Sequence, residues 1–342
     1  MYTVQLNIFS KSPHTHPIIA GFFYLADNHL VNLTVNVCFD KASAYPHYHM
    51  VEAIVNGKKI AFDMLDGYNW NLLEVRNYLS TCDLYVKRSF SSSMNSVFSE
   101  EEQKKIIPLG CSFHVMHPEM EKIFGCTLQY KIRKFAGSIL GRPSNIYFTP
   151  DRFETIPKYK EKPLKIMFYT RLWDTSDCPK CSTAELEHIN TMRIDIIRNL
   201  RKLYPNQVYT GLSANKLAKE LAPELILSKR KTLRANYLKE MTKADICIGS
   251  MGLHKSVGWK TGEYIAAAKA IVNETLHYEM LGDFIPGQNY LEFTSLSSCL
   301  ECVEELINDP QRVYDMKLRN RDYYLNYLRP DMQVLRAIEH IV

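Results

Sequence analysis

A chain of 342 residues is long enough for two domains, each with its own core. Its apolar share of 46% and charged share of 23% are those of a globular protein. An excess of only five positive charges is too small for a dedicated nucleic-acid binder and suits a protein that handles anionic phosphates or works near an acidic membrane. No apolar run approaches the roughly 20 residues of a membrane span. Residues 1–9 lack a charged n-region and an apolar h-region, so the chain is expected to stay in the cytoplasm. Nine cysteines, an odd number, read as reduced thiols.

In the first half, residues 2–9 predict a strand. Lys11 to Pro17 form the loop after it, and an apolar-periodic helix over 18–30 follows with Pro17 in its first turn. That loop carries His14 and His16, which either move protons near neutral pH or cap the helix. Residues 33–39 alternate and are β-branched, as a strand requires. Two more strands, 49–56 and 59–65, flank the hairpin turn Asn56-Gly57. The second sets Asp63 and Asp66 at or just past its carboxyl end. There they act as a base or hold sugar hydroxyls, or Asp66-Gly67 is ordinary turn chemistry. A helix over 70–80, a strand over 82–89, a mobile loop over 91–102 and a strand over 106–111 complete the half. Residues 118–142 predict a helix whose stripe of Met120, Ile123, Phe124, Leu128, Ile132, Phe135 and Leu140 is flanked by Lys122, Lys131, Arg133, Lys134 and Arg142. It either faces the core or lies on an anionic membrane as a peripheral contact.

Residues 150–164 are rich in Pro and charge and predict a linker. A strand over 164–171 then ends on Arg171, whose guanidinium can grip two phosphate oxygens at once. Between it and a long helix over 184–203 lies Cys178-Pro-Lys-Cys181, a candidate for a metal or redox pair. The second pair, Cys299 and Cys302, falls in a helical pattern where such spacing arises easily. A strand over 207–210 and a helix over 214–221 follow, and residues 234–243 lead into the next βαβ unit. Beyond them, helices over 296–308, 311–328 and 331–341 are separated by Pro310 and Pro330.

The richest stretch is 245–275. Ile246-Cys247-Ile248 reads as a buried parallel strand. Gly249 to Lys260 form a polar loop with Gly252, His254, Lys255 and Lys260. Thr261-Gly262-Glu263 opens a helix, and Ala270-Ile271-Val272 begins the next strand. In open α/β sheets ligands sit at the carboxyl ends of strands, against helix N-termini. Two ammonium groups and a helix dipole there suit a diphosphate, and Glu263 suits the hydroxyls of a ribose; the plain alternative is a βαβ unit with solvated lysines.

The segment from Glu263 to Val272 resembles the nucleotide-sugar site of GT-B glycosyltransferases, in particular the retaining group related to glycogen and sucrose synthases. It is also similar to glycosyltransferases of bacterial polysaccharide gene clusters. In that group two glutamates are separated by seven intervening residues and the second binds the donor ribose; Glu263 stands at the second position and Lys255 at the first. Arg171-Leu172 resembles the family's diphosphate-gripping Gly-Arg-Leu segment, and Ile107-Pro108-Leu109-Gly110 resembles the end of its first domain.

The resemblance implies an α/β fold of two Rossmann-like domains facing across a cleft, 1–155 for the acceptor and 156–325 for the donor, with 326–342 packing back on the first. The donor nucleotide-sugar is expected at Arg171, Gly252, His254, Lys255, Lys260, Thr261 and Glu263, and catalysis near His14, His16, Asp63 and Asp66. No Asp-x-Asp metal motif occurs, so no metal and no further cofactor are expected at the donor. The acceptor is expected to be a surface glycan or lipid-linked hydroxyl, with no nucleic-acid partner. A nucleotide-sugar 2-epimerase and an inactive nucleotide- or glycan-binding scaffold subunit are the alternatives.

Overall fold

The computed structural model describes residues 1–125, 132, 135–136 and 148–342. Eleven strands appear among them: β1 (Tyr2–Ile8), β2 (Val31–Val37), β3 (Met50–Val55), β4 (Lys58–Asp63), β5 (Leu84–Lys87), β6 (Ile106–Pro108), β7 (Ile166–Thr170), β8 (Val208–Leu212), β9 (Ile246–Gly249), β10 (Ala270–Glu274) and β11 (Leu291–Phe293). The helices of two turns or more are α1 (His16–Asp27), α2 (Leu72–Leu79), α3 (Thr183–Leu203), α4 (Arg234–Lys243), α5 (Trp259–Ala266), α6 (Leu296–Asn308), α7 (Pro310–Tyr323) and α8 (Pro330–Glu339).

The chain forms two Rossmann-like α/β units. The first comprises Met1–Arg152, Tyr278–Leu281 and Leu325–Val342, and the second Phe153–His277 and Gly282–Tyr324.

In the first unit the sheet order is β2-β1-β3-β4-β5-β6, with β3 antiparallel to both neighbours and the other pairings parallel. The Asn56-Gly57 turn makes β3 and β4 a hairpin because both residues hold positive φ, 49° and 86°, the backbone such a two-residue turn demands. Register sets Asp63 beside Lys87, and Met50 opposite Asp63, so the segments that follow β4 and β5 and precede β3 share one edge. The core joins Val4, Leu6 and Ile8 to Ile18, Phe22 and Leu25 of α1 and to Val334, Ala337 and Ile338 of α8. Gly21 makes that helix pair possible: a Cβ there would lie 2.2 Å from the Pro330 carbonyl oxygen.

In the second unit all five strands are parallel, in the order β11-β10-β9-β7-β8. Successive strands leave β7 in opposite directions, which creates a topological switch point between β7 and β9. Ile194, Ile196, Ile197 and Leu200 of α3 share a core with the strands and with Cys299, Val303 and Leu306 of α6. The charged stretch expected as a linker is fastened to this unit: Lys160 and Lys317 meet the two oxygens of Asp245 at 2.6 and 2.9 Å.

Some expectations change. Residues 91–102 hold a 3-10 turn, Met94–Val97, and the start of a short helix, Glu100–Lys104. Ser99 and Glu102 form a capping box, a local signal strong enough to order a polar stretch. Of the helix expected over 118–142, the short piece Met120–Phe124 is described, with Met120 buried; its basic residues 131, 133, 134 and 142 lie outside the described residues. Strand β11 was not anticipated: three residues between loops carry too little pattern to register. Among the described residues no helix is long and apolar enough to cross a membrane.

Candidate functional site

At the switch point of the second unit a buried guanidinium joins the two strand ends. Arg193 of α3 donates to the Arg171 carbonyl at 2.6 Å, to the Met251 carbonyl at 2.9 Å and to Ser250 Oγ at 3.0 Å. Burial lowers its pKa to about 10, with Glu274 working against the shift and Arg171 adding to it. It stays charged at neutral pH. Glu274, at the end of β10, accepts from the Met251 N–H at 2.8 Å and faces His188 at 3.3 Å. The sequence reading missed Arg193. Its one signal is a charge on the apolar stripe of α3, four residues after Ile189 and three before Ile196.

Arg171 follows β7 directly. Its guanidinium lies over the Trp173 ring, 3.7 Å from the centroid, and bonds Asp177 Oδ1 at 2.7 Å. It lines a cavity of ≈ 410 Å³ with Asp174, Ser213, Asn215 and Lys216, at the carboxyl ends of β7 and β8. Trp173 and Asn215 are themselves fastened. The Trp173 N–H donates to Asn190 Oδ1 at 2.8 Å, and Asn215 Nδ2 donates to the Leu172 carbonyl at 2.8 Å.

Helix α5 starts at Trp259, behind Gly258, two residues earlier than the sequence suggested. Gly262 inside it is tolerated because the helix is buried on the sheet. Glu263 therefore sits in the second turn and points inward, 3% exposed. One oxygen pairs with Arg234 Nη2 at 2.8 Å; the other accepts from the Tyr237 hydroxyl at 2.7 Å. Burial works to raise this carboxyl, but Arg234 and Lys260 outweigh it and leave it below its ordinary range. Lys260 lies 4.0 Å over the Tyr237 ring. Desolvation brings its ammonium down to about 8, with Arg234 and Arg193 pushing the same way and Glu263 opposing. Thr261 is turned to the interior, where its hydroxyl donates to Asn273 Oδ1 at 2.9 Å. Gly249 permits that contact, since a Cβ there would sit 1.9 Å from the same oxygen.

The loop between β9 and α5 doubles back: Gly252 N–H donates to the Ser256 carbonyl at 2.9 Å, and a Cβ on Gly252 would approach Ser256 Oγ to 2.6 Å. His254 and Lys255 both take the left-handed backbone, φ 56° and 57°. His254 faces the cysteine pair, with Nε2 3.3 Å from Cys178 Sγ and 3.8 Å from Cys181 Sγ. Lys255 is exposed, and its N–H donates to Glu185 at 3.3 Å.

In the first unit the expected residues gather at the edge formed by the ends of β1, β4 and β5. Asp63 is fully buried and has four partners: Lys87 Nζ at 3.1 Å, His47 Nε2 at 3.2 Å, the Tyr85 hydroxyl at 2.8 Å and the Leu65 N–H at 2.9 Å. Burial favours its neutral form, but Lys87 and His47 prevail and hold it well below the usual carboxylate range. A carboxylate so enclosed orients its neighbours rather than taking a proton from a bound hydroxyl. Asp66 pairs with Arg88. His47 Nδ1 accepts from the His49 N–H at 3.2 Å, which leaves its Nε2–H for Asp63. His49 Nδ1 meets Ser12 Oγ at 2.7 Å, and the His14 ring lies 4.6 Å from that of His49. Burial lowers His14 to about 4 and, helped by His114 and His14, lowers His16 to about 3. Both are neutral at pH 7. His16 Nδ1 meets His114 Nε2 at 3.1 Å. His47, His49 and His114 were not singled out in the sequence; they lie far from His14 in the chain and no spacing rule links them.

No family profile matches the sequence, and no curated protein matches it. Among solved structures the chain is similar to a glycosyltransferase from Rickettsia africae at 10% identity, over 82% of this chain and 69% of that one, with a TM-score of 0.47. It is similar to a sucrose-phosphate synthase from Thermosynechococcus elongatus at 8% identity, over 99% of this chain and 72% of that one, TM-score 0.44. A third is HepE from Anabaena in complex with UDP-glucose, 12% identical over 79% of this chain and 66% of that one, TM-score 0.42. At this level of similarity the chain's own residues must carry a functional reading.

Proposed function

We propose that this chain is a glycosyltransferase that moves a sugar from a nucleotide-diphosphate donor to a hydroxyl of a glycan or lipid-linked acceptor. One observation carries the reading: at the switch point of a parallel sheet the buried Arg193 bonds the Arg171 and Met251 carbonyls, and Arg171 lines the cavity at the strand ends. Breaking a glycosyl–phosphate bond leaves charge on the departing diphosphate, and fixed cations stabilise such charge where it develops. Arg171 and Lys260 are assigned to the diphosphate, with Arg193 holding the Arg171 backbone in place. Glu263, enclosed with Arg234 and Tyr237, is assigned to orienting those two side chains beside the ribose. The neutral imidazoles of the first unit, His14 above all, are assigned to the acceptor hydroxyl, where an unprotonated nitrogen accepts its proton. The resemblance to nucleotide-sugar sites noted at Glu263 and Arg171 supports the same assignment.

A thermal-shift panel of UDP-, GDP-, CMP- and dTDP-sugars tests it, since a ligand stabilises by mass action even at modest affinity. One donor class is expected to raise Tm, and Arg171→Ala is expected to remove most of that response while leaving the unliganded Tm nearly unchanged. No response to any of the four, with folded protein, contradicts the proposal.

A further inference from the structure

We propose that Cys178, Cys181 and His254 bind one zinc ion that ties the loop after β7 to the loop after β9. The three ligands come from two segments over seventy residues apart, and their donor atoms all lie within 4.8 Å of one another. Tetrahedral zinc with Zn–S of about 2.3 Å and Zn–N of about 2.0 Å sets sulfur and nitrogen roughly 3.5 Å apart. The observed separations of His254 Nε2 from the two sulfurs, 3.3 and 3.8 Å, bracket that distance. Nε2 is therefore the nitrogen assigned to the metal.

The donor set selects the ion. Two thiolates and an imidazole suit zinc, whereas magnesium and calcium call for oxygen ligands. The cluster has three members among the described residues, which leaves a fourth position for water. Cys178 is buried and its two companions are partly so, a setting that shields the bonds from solvent without closing the entry path. The backbone is shaped for the same purpose. His254 and Lys255 hold two successive left-handed conformations, unusual for residues with side chains, and these turn the imidazole back onto the cysteines. The sulfurs of Cys178 and Cys181 are in contact, so the metal-free pair has a disulfide as its competing form.

The position gives the ion a purpose. Asp177, which bonds the Arg171 guanidinium, immediately precedes Cys178, and Lys255 immediately follows His254. A zinc at this point fixes both loops that leave the switch point. This role is structural and independent of the donor contacts, and its test does not read nucleotide binding or transfer.

The experiment uses the full chain, purified without a polyhistidine tag or chelator and under mild reductant. Elemental analysis is expected to find about one zinc per chain. Replacement by cobalt(II) is expected to give thiolate-to-cobalt charge-transfer absorption and the intense visible bands of a tetrahedral ion. Cys181→Ser and His254→Ala are each expected to lose most of the metal. The wild-type cobalt spectrum keeps the test decisive where a variant fails to fold. Reduced, folded wild-type protein with no stoichiometric zinc and no tetrahedral cobalt spectrum overturns the proposal, as does undiminished metal in both variants.

Discussion

Arg193 and Lys87 are buried cations with opposite kinds of partner, and that difference governs what their removal costs. Arg193 serves two carbonyls and a hydroxyl, so Arg193→Ala leaves three oxygens without a donor at the ends of β7 and β9. A loss of about 3 kcal/mol is expected by chemical denaturation, and Arg193→Lys, lacking the fork, is expected to recover under half of it. Lys87 instead neutralises Asp63, with both side chains wholly enclosed. Lys87→Met strands a buried carboxylate and is expected to cost about 3–5 kcal/mol, of which a second change, Asp63→Asn, restores a substantial part. Full additivity of the two changes would contradict the pairing. The histidines set a pH dependence. His14 and His16 titrate at about 4 and about 3 in the folded chain but near 6.5 when unfolded. Their contribution is therefore complete above about pH 6.5 and is lost as pH falls toward 4, because the unfolded chain takes up protons first. Asp63, whose pKa is depressed, adds a loss of the same sign at lower pH. Tm is expected to fall between pH 7 and pH 4.5, with a shallower slope in a His14→Gln/His16→Gln variant; parallel slopes would refute the assignment.

Elements were legible where pattern and punctuation agreed. The β3–β4 hairpin followed from Asn56-Gly57, α3 from its apolar stripe, and the broken ending from Pro310 and Pro330. The start of α5 was not, because Gly258 and the polar run up to Lys260 read as loop while burial on the sheet favours helix regardless. That shift moved Glu263 from the rim of the site to its interior, and Thr261 with it. The histidine edge of the first unit was half legible: His14 and Asp63 stood out as residues after strands, whereas their contacts with His47, His49 and Lys87 depend on sheet register. Arg193 was hidden by its own helix, where one charge on an apolar stripe breaks no rule. At this scale Gly21 gives a direct test of how α8 docks. Gly21→Ala places a methyl group 2.2 Å from the Pro330 carbonyl oxygen and 2.7 Å from a Val334 methyl carbon. Because both are parts of a docked helix, α8 must move; a loss of about 1–3 kcal/mol and faster proteolysis within 325–329 are expected. Unchanged stability and cleavage would show that the helix contact contributes little.

For the molecule as a whole, the two units follow one rule. Each sets a group of charged and titratable side chains along the carboxyl ends of its parallel strands. The second unit presents cations there, and the first presents neutral imidazoles beside enclosed ion pairs. That division matches a reaction in which one partner is a polyanion and the other a hydroxyl. The claim on which it depends is that Arg171 and Lys260 meet a diphosphate. Calorimetric titration of the full chain with nucleoside diphosphates and the corresponding monophosphates measures this most directly. One diphosphate is expected to bind at least about tenfold more tightly than its monophosphate, a difference of about 1.4 kcal/mol, and Arg171→Ala or Lys260→Met is expected to erase that gap. Equal affinity for the two, or a gap that survives both substitutions, would contradict the account.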